Sequence, residues 1–246
     1  MGKCISFLTR RSLWLSGMPL WFSVLFMSCD SGDIYPVDPE TIVGISVEAS
    51  FSFLNSETFP DKDSYDMIFG TFGSSNVPIV SKNISKPADG ETVKVSLSDI
   101  PEGSSSIRLC LAKPGRQTFY TLYEMPLNAI PEDDLVIPEQ TIDLIRYERV
   151  QQQVFNQCIV CHGGSGGVGA DLYFTPGESY GNLVGIPAQK SAKNRVTPAN
   201  VAGSFIIDVL KDRAGLRYDH STGISGLKAN DIVLLEEWIR TDAKNE

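Results

Sequence analysis

Basic residues are in the minority in this chain, with 21 lysines and arginines against 30 aspartates and glutamates and a formal net charge of -9. Contacts with nucleic acid phosphates or with anionic lipid headgroups need a basic surface. The composition therefore excludes a nucleic-acid partner and predicts an acidic, solvated surface.

A hydrophobic run long enough to span a membrane is also missing. The longest apolar stretch covers residues 13–27, whereas a spanning helix needs about 20 residues, and Pro19 interrupts it. Lys3, Arg10 and Arg11 precede it. This order of a basic start and a short apolar run predicts a secretory signal peptide over residues 1–28.

The end of that run, residues 26–29 with the sequence FMSC, resembles a bacterial lipobox. The resemblance implies that Cys29 becomes the lipidated first residue of the mature protein. Residues 29–40 then form a tether, and the membrane is contacted through the lipid. We expect a cell-envelope protein, on the periplasmic or surface face of the outer membrane of a Gram-negative bacterium. A plain signal peptide and an uncleaved anchor are the alternatives.

Cysteine pairs are lacking as well. Of five cysteines, Cys4 leaves with the signal, Cys29 takes lipid, and Cys158 and Cys161 share one motif. Cys110 has no partner left, which excludes a disulfide scaffold. We expect Cys110 to be a free, half-buried thiol on a strand.

Residues 41–144 alternate between apolar and polar positions, as strands with one buried face do. Turn-rich stretches separate several such segments, which predicts an antiparallel β-sandwich domain of immunoglobulin-like type. The first segment shows the alternation over Val43, Ile45, Val47, Ala49, Phe51 and Phe53.

Residues 145–246 change to helical spacing, which predicts a second, small, mostly α-helical domain. Tyr147, Val150, Val154 and Cys158 recur along one helix face. Two later helices are predicted, over residues 204–211 with Ser204 as N-cap and over residues 230–241. A domain of this size has a marginal core, so we expect a cofactor to contribute to it.

Residues 158–162 read CIVCH, which is a C-x-x-C-H haem attachment sequence. Two thiols two residues apart at a helix end can form thioethers on one side of a porphyrin, and His162 then reaches the iron as proximal ligand. The motif thus predicts one covalent haem c held by Cys158 and Cys161. A redox-active C-x-x-C and a zinc site completed by Cys110 and His220 are the alternatives.

The stretch from residue 158 to residue 242 resembles the planctomycete type of single-haem cytochrome c domain, which occurs in bacterial lipoproteins. The resemblance implies a small helical cytochrome c domain. Together with the β-sandwich that the alternating pattern predicts, the expected fold class is multidomain, β + α. The ordered motifs that carry the resemblance are CHGG at 161–164, DL at 171–172, YGNLV at 180–184, RVTP at 195–198, Ser204 and WI at 238–239.

The sequence departs from that family at the second axial ligand, which is usually the methionine of a Met-Pro pair. Every methionine here precedes the haem motif, and the corresponding segment, residues 215–221, reads GLRYDHS. We predict that His220 is the distal iron ligand. If His220 is instead an exposed loop residue, the iron is five-coordinate or takes Tyr218 or water. Arg195 is a candidate partner for a haem propionate.

Iron with two histidine ligands has no open site for peroxide or oxygen. The sequence therefore predicts a single-electron carrier that exchanges electrons with redox partner proteins, and not an enzyme. Two alternatives stay open. One is a haem enzyme or gas sensor with an open distal site, and the other is a glycan-binding or protein-binding lipoprotein with an auxiliary haem.

Overall fold

A computed structural model describes residues 44–88, 90–163, 169, 171–224 and 226–245, and these belong to one compact unit. The predicted signal peptide, the lipidation site Cys29 and the tether 29–40 lie outside the described residues. Within the described ranges, no helix is long and apolar enough to cross a membrane.

The described residues up to 144 form seven strands in two sheets, which we call the sheet half. One sheet has the strand order β4-β1-β7 and the other has the order β3-β2-β5-β6. The strands are β1 (Val47–Leu54), β2 (Asp66–Phe72), β3 (Val80–Ile84), β4 (Thr92–Leu97), β5 (Ser106–Ala112), β6 (Thr118–Pro126) and β7 (Leu135–Asp143).

The apolar positions of the alternating pattern face a core that both sheets share. Val47 and Phe51 of β1 are fully buried, and the ring of Phe51 packs edge-on against Phe69 of β2 at 5.5 Å. Because the two rings come from different sheets, the sheets pack face to face, as the alternation predicts.

One strand pairing differs from the antiparallel prediction, because β7 runs parallel to β1. Alternation determines which face of a strand is buried, but it is the same for parallel and antiparallel neighbours. The strand itself is also hard to recognise, since it contains Pro138. Proline is tolerated there because β7 pairs only with β1 and lies at the sheet edge.

Cys110 is fully buried and not half-buried as expected. It lies on the face of β5 opposite to Leu109 and forms a second small cluster with Ile68, Phe72 and Ala112. Burial raises the pKa of its thiol to about 11. The thiol is thus protonated and inert at neutral pH.

The described residues from 145 onward form the helical half, in which six short α-helices connect through long loops. Their buried side chains make a separate core that begins with Ile145, whereas the core of the sheet half ends with Leu144. The helices are α1 (Tyr147–Gln153), α2 (Ile159–His162), α3 (Ser179–Leu183), α4 (Phe205–Lys211), α5 (His220–Gly223) and α6 (Ala229–Arg240).

The helix predicted to continue to Cys158 is interrupted. After α1 the chain tightens into a 3-10 turn, Phe155–Gln157, before α2 begins. Both Val154 and Phe155 are fully buried at this point. Because Val154 and Phe155 are adjacent in the chain, the buried side chains here do not follow the single stripe of a regular amphipathic helix.

The helical core is centred on Trp238 of α6, which is 1% exposed. Its ring lies 5.3 Å from Tyr147 and 6.2 Å from Phe155. Ser204 precedes α4 as predicted, but its hydroxyl donates to the Asn200 carbonyl and does not cap the helix.

Candidate functional site

The predicted haem attachment residues share a single turn of backbone. The N–H groups of Cys161 and His162 both donate to the carbonyl of Cys158, at 3.2 and 2.9 Å. Both thiols are free, with Cys158 half-buried against the helical core and Cys161 exposed. One turn therefore presents two thiols and one imidazole side by side.

The half-buried thiol of Cys158 is a poor redox nucleophile. Burial, and after it the neighbouring Cys161, raises the pKa of Cys158 to about 12. Redox-active C-x-x-C motifs depend on the opposite shift, because the thiolate is the reacting form. The local environment therefore disfavours the redox-active alternative.

The imidazole of His162 is oriented by the chain that follows it. Its Nδ1 lies 3.1 Å from the carbonyl oxygen of Leu172. Since a carbonyl only accepts, Nδ1 must carry the proton, which leaves the Nε2 lone pair available for a metal ion. Phe174 donates its N–H to the His162 carbonyl at 2.8 Å and places its ring edge-on at 5.4 Å.

Gly169 lies directly against the ring of His162. A β-carbon built on Gly169 would overlap the Cε1, Nδ1 and Nε2 atoms of that ring. Only glycine allows the backbone to come this close.

Gly169→Ala is expected to lower the free energy of unfolding by about 1–3 kcal/mol, because the ring or the backbone must move to accept the methyl group. Urea denaturation of the full chain measures this. Gly181→Ala is the matched control, since its β-carbon would meet no described atom within 4 Å. Equal unfolding free energies for the two variants would contradict the close packing of Gly169 on His162.

His220 begins the short helix α5. Asp219 caps this helix, because its carboxylate accepts from the Ser221 N–H at 3.0 Å. Tyr218 packs edge-on against the His220 ring at 5.0 Å and donates its hydroxyl to the Gly223 carbonyl at 3.0 Å. Tyr218 therefore packs beside His220 and is hydrogen-bonded to the end of α5.

The Nδ1 atom of His220 is buried and makes no hydrogen bond to any described residue. Burial, and then the nearby His162, lowers the pKa of His220. The Tyr218 backbone and the Asp219 carboxylate raise this pKa and so partly offset the lowering. Nδ1 nevertheless has no partner at normal hydrogen-bond distance and angle. A neutral imidazole with a buried, unpartnered nitrogen is the state that a metal ligand requires.

The two histidines are brought together from distant parts of the chain. Their ring centres are 6.3 Å apart, and the ring planes are inclined by 32°. A metal–imidazole bond is about 2 Å long and the nitrogen lies roughly 1 Å from its ring centre, so imidazoles on opposite sides of one metal ion have centres roughly 6 Å apart. The separation of 6.3 Å therefore matches the spacing expected for two imidazoles that share one metal ion.

A zinc site gains no such support. Among the described ranges, no three His, Cys, Asp or Glu side chains are grouped to hold a metal ion. Cys110, which the zinc alternative required, is buried in the sheet half. A haem needs only the two histidines from the protein, because the porphyrin supplies the other four nitrogens.

Arg195, the predicted propionate partner, is half-buried and contacts the main chain. One of its terminal nitrogens, Nη1, donates to the carbonyls of Asn182 at 2.8 Å and Asp171 at 3.3 Å. Burial lowers the pKa of Arg195, and the Asp171 carboxylate partly offsets this. Its contact with a propionate stays a prediction.

Sequence reasoning did not find the groups that orient His162, namely Gly169, the Leu172 carbonyl and Phe174. The only signal was the Asp171-Leu172 pair within the family motifs, and a main-chain acceptor has no signature of its own. Comparisons with protein-family models, curated proteins and solved structures found no match.

Proposed function

We propose that this chain is an exported, lipid-anchored c-type cytochrome that carries one covalent haem and transfers single electrons between redox partner proteins. The observation that carries the proposal is the position of His220 opposite His162, the histidine of the C-x-x-C-H turn, at a ring separation of 6.3 Å. No other histidine exists in the sequence, so both imidazoles of the chain converge on one place.

Each residue has one task in this proposal. The Sγ atoms of Cys158 and Cys161 would form the thioethers, and Nε2 of His162 and a ring nitrogen of His220 would bind the iron. When bound, the haem iron would accept one electron and release it again. With both histidines coordinated, neither axial position is open to a substrate.

The finer architecture belongs to the same proposal. We take the sheet half to be an immunoglobulin-like β-sandwich and the helical half to be a cytochrome c domain. The division into two cores between Leu144 and Ile145 supports this. Lipidation at Cys29 would hold the protein at the cell envelope, in the outer membrane of a Gram-negative bacterium.

His220→Ala is expected to convert a low-spin protein that ignores carbon monoxide into a high-spin protein that binds it. The reason is that removal of the distal imidazole opens one axial position while His162 keeps the other. Absorption and EPR spectra of wild type and variant, with and without carbon monoxide, measure the change. Added imidazole should restore the low-spin spectrum of His220→Ala.

Arg217→Ala, at an exposed position three residues before His220, is the matched control and should keep the wild-type spectrum. A low-spin spectrum in His220→Ala would remove His220 as ligand. A high-spin wild-type protein would instead favour the haem enzyme or gas sensor. That second candidate has one structural observation behind it: Nδ1 of His220 makes no hydrogen bond to a described residue that would fix the ring as a ligand.

A further inference from the structure

Residues 171–174, here called the segment, contact His162 through Leu172 and Phe174, and they begin with an unusual backbone conformation. Asp171 has φ = 49°, in the left-handed region that residues other than glycine seldom adopt. The residue after this turn, Leu172, directs its carbonyl to Nδ1 of His162. The N–H of Leu172 donates back to the Gly169 carbonyl at 3.0 Å. The orientation of the acceptor for His162 is therefore set at Asp171.

The guanidinium of Arg195 holds that turn from outside. It donates to the Asp171 carbonyl, which belongs to the peptide unit directly before Leu172, and to the Asn182 carbonyl at the end of α3. One side chain thus bridges the segment around His162 and the helix behind it. The Gln189 amide adds a contact of 3.4 Å to the Asp171 carboxylate.

The Arg195 side chain can hold the Asp171 carbonyl in place because the main chain of Arg195 is itself hydrogen-bonded on both sides. Its N–H donates to the Ile186 carbonyl at 2.7 Å, and its carbonyl accepts from the N–H of Ile206 in α4 at 3.1 Å. At the other end of the segment, the buried amide of Gln151 donates to the Phe174 carbonyl at 2.8 Å. The segment is held at both ends, and Arg195 controls the end nearer to Leu172.

We propose that Arg195 is a positioning residue for His162. Arg195 holds the Asp171 carbonyl, and this fixes the neighbouring Leu172 carbonyl that accepts from Nδ1 of His162. The part of the inference that concerns a bound haem rests on the proposed function. A hydrogen bond from Nδ1–H makes the imidazole a stronger electron donor to its metal. Arg195 would therefore lower the reduction potential by keeping that hydrogen bond short and aligned.

The first test needs no haem. Histidine labelled with ¹⁵N gives only two ring systems in this chain, so the solvent exchange of the His162 Nδ1–H can be read directly by NMR. In the full chain, Arg195→Lys should speed this exchange at least tenfold, because the lysine ammonium lies one bond short of the Nη1 position from which both carbonyls accept. Arg195→Gln should do the same. Arg116→Lys is the control, since Arg116 donates to the Ser81 carbonyl in the sheet half. Exchange rates equal to wild type in both Arg195 variants would overturn the proposal.

The second test separates positioning from propionate pairing in the haem protein. If Arg195 acts on His162, Arg195→Lys shifts the midpoint potential upward, because it weakens the hydrogen bond while it keeps the charge. If Arg195 pairs with a propionate, Lys leaves the potential in place and Gln lowers it, since a positive charge near the iron is lost. The second pattern overturns the proposal. A wild-type chain without covalent haem overturns the proposed function instead, while the exchange test still decides the role of Arg195.

Discussion

Replacing both Cys158 and Cys161 by alanine is expected to yield a chain without covalent haem, whereas the wild type is expected to carry one haem per chain. In thioether formation each Sγ–H adds across one vinyl group, so an S–C bond forms, the proton goes to the other vinyl carbon, and no oxidant is consumed. Without the two thiols this step has no nucleophile. Intact mass and the pyridine haemochrome spectrum after acid-acetone extraction measure the covalent haem, in a host that can attach it.

The two single variants and one control sharpen this result. Cys158→Ala and Cys161→Ala should each keep one thioether and show a haemochrome band displaced from the wild-type position. Cys110→Ala should keep the full amount of haem, because Cys110 is buried in the sheet half. Pigment that resists acid acetone in the double variant would refute attachment at this motif. Colourless wild-type protein from the same host would refute it too.

Much of the fold and of the candidate haem site can be predicted from the sequence, because these features depend on local periodicity and on scarce residue types. Alternation in β1 places Val47 and Phe51 in the core, as predicted. His220 could be singled out because the chain has only one other histidine. The structure brings His220 to His162, and the ligation of iron by His220 stays a prediction.

Other features could not be predicted, because they depend on tertiary contacts of the main chain. The parallel pairing of β7 with β1 leaves no trace in an alternating pattern, and Pro138 obscures the strand. The Leu172 carbonyl that accepts from His162 is a group every residue has. The need for glycine at position 169 is apparent only when the His162 ring lies against it.

The second large effect is expected at Arg149, which is 1% exposed where the sheet half meets the helical half. Its guanidinium donates to the carbonyls of Thr58 and Leu144, both at 2.7 Å, and to the Gln153 side chain at 3.1 Å. Gln153 in turn donates to the buried carboxylate of Asp231 in α6 at 2.7 Å. Burial lowers the pKa of Arg149 to about 10, partly offset by Tyr120, Asp231 and Tyr65, so it stays charged at neutral pH.

Arg149→Met should lower the free energy of unfolding by about 3–5 kcal/mol, because it removes the compensating charge near Asp231 and leaves two buried carbonyls without their donor. Urea denaturation followed by circular dichroism measures the loss. The same substitution at Arg240, whose side chain is 57% exposed beside Glu237, should cost at most about 1 kcal/mol.

A compensating variant tests the cause of the loss. In Arg149→Met with Asp231→Asn, no buried carboxylate is left uncompensated, and the neutral amide still accepts from Gln153. The double variant should therefore recover part of the stability lost in Arg149→Met, which a double-mutant cycle records as a coupling between the two positions. If Arg149→Met costs no more than Arg240→Met, Arg149 does not stabilise the junction. If the cycle shows no coupling, the cost comes from the unpaired carbonyls of Thr58 and Leu144 alone.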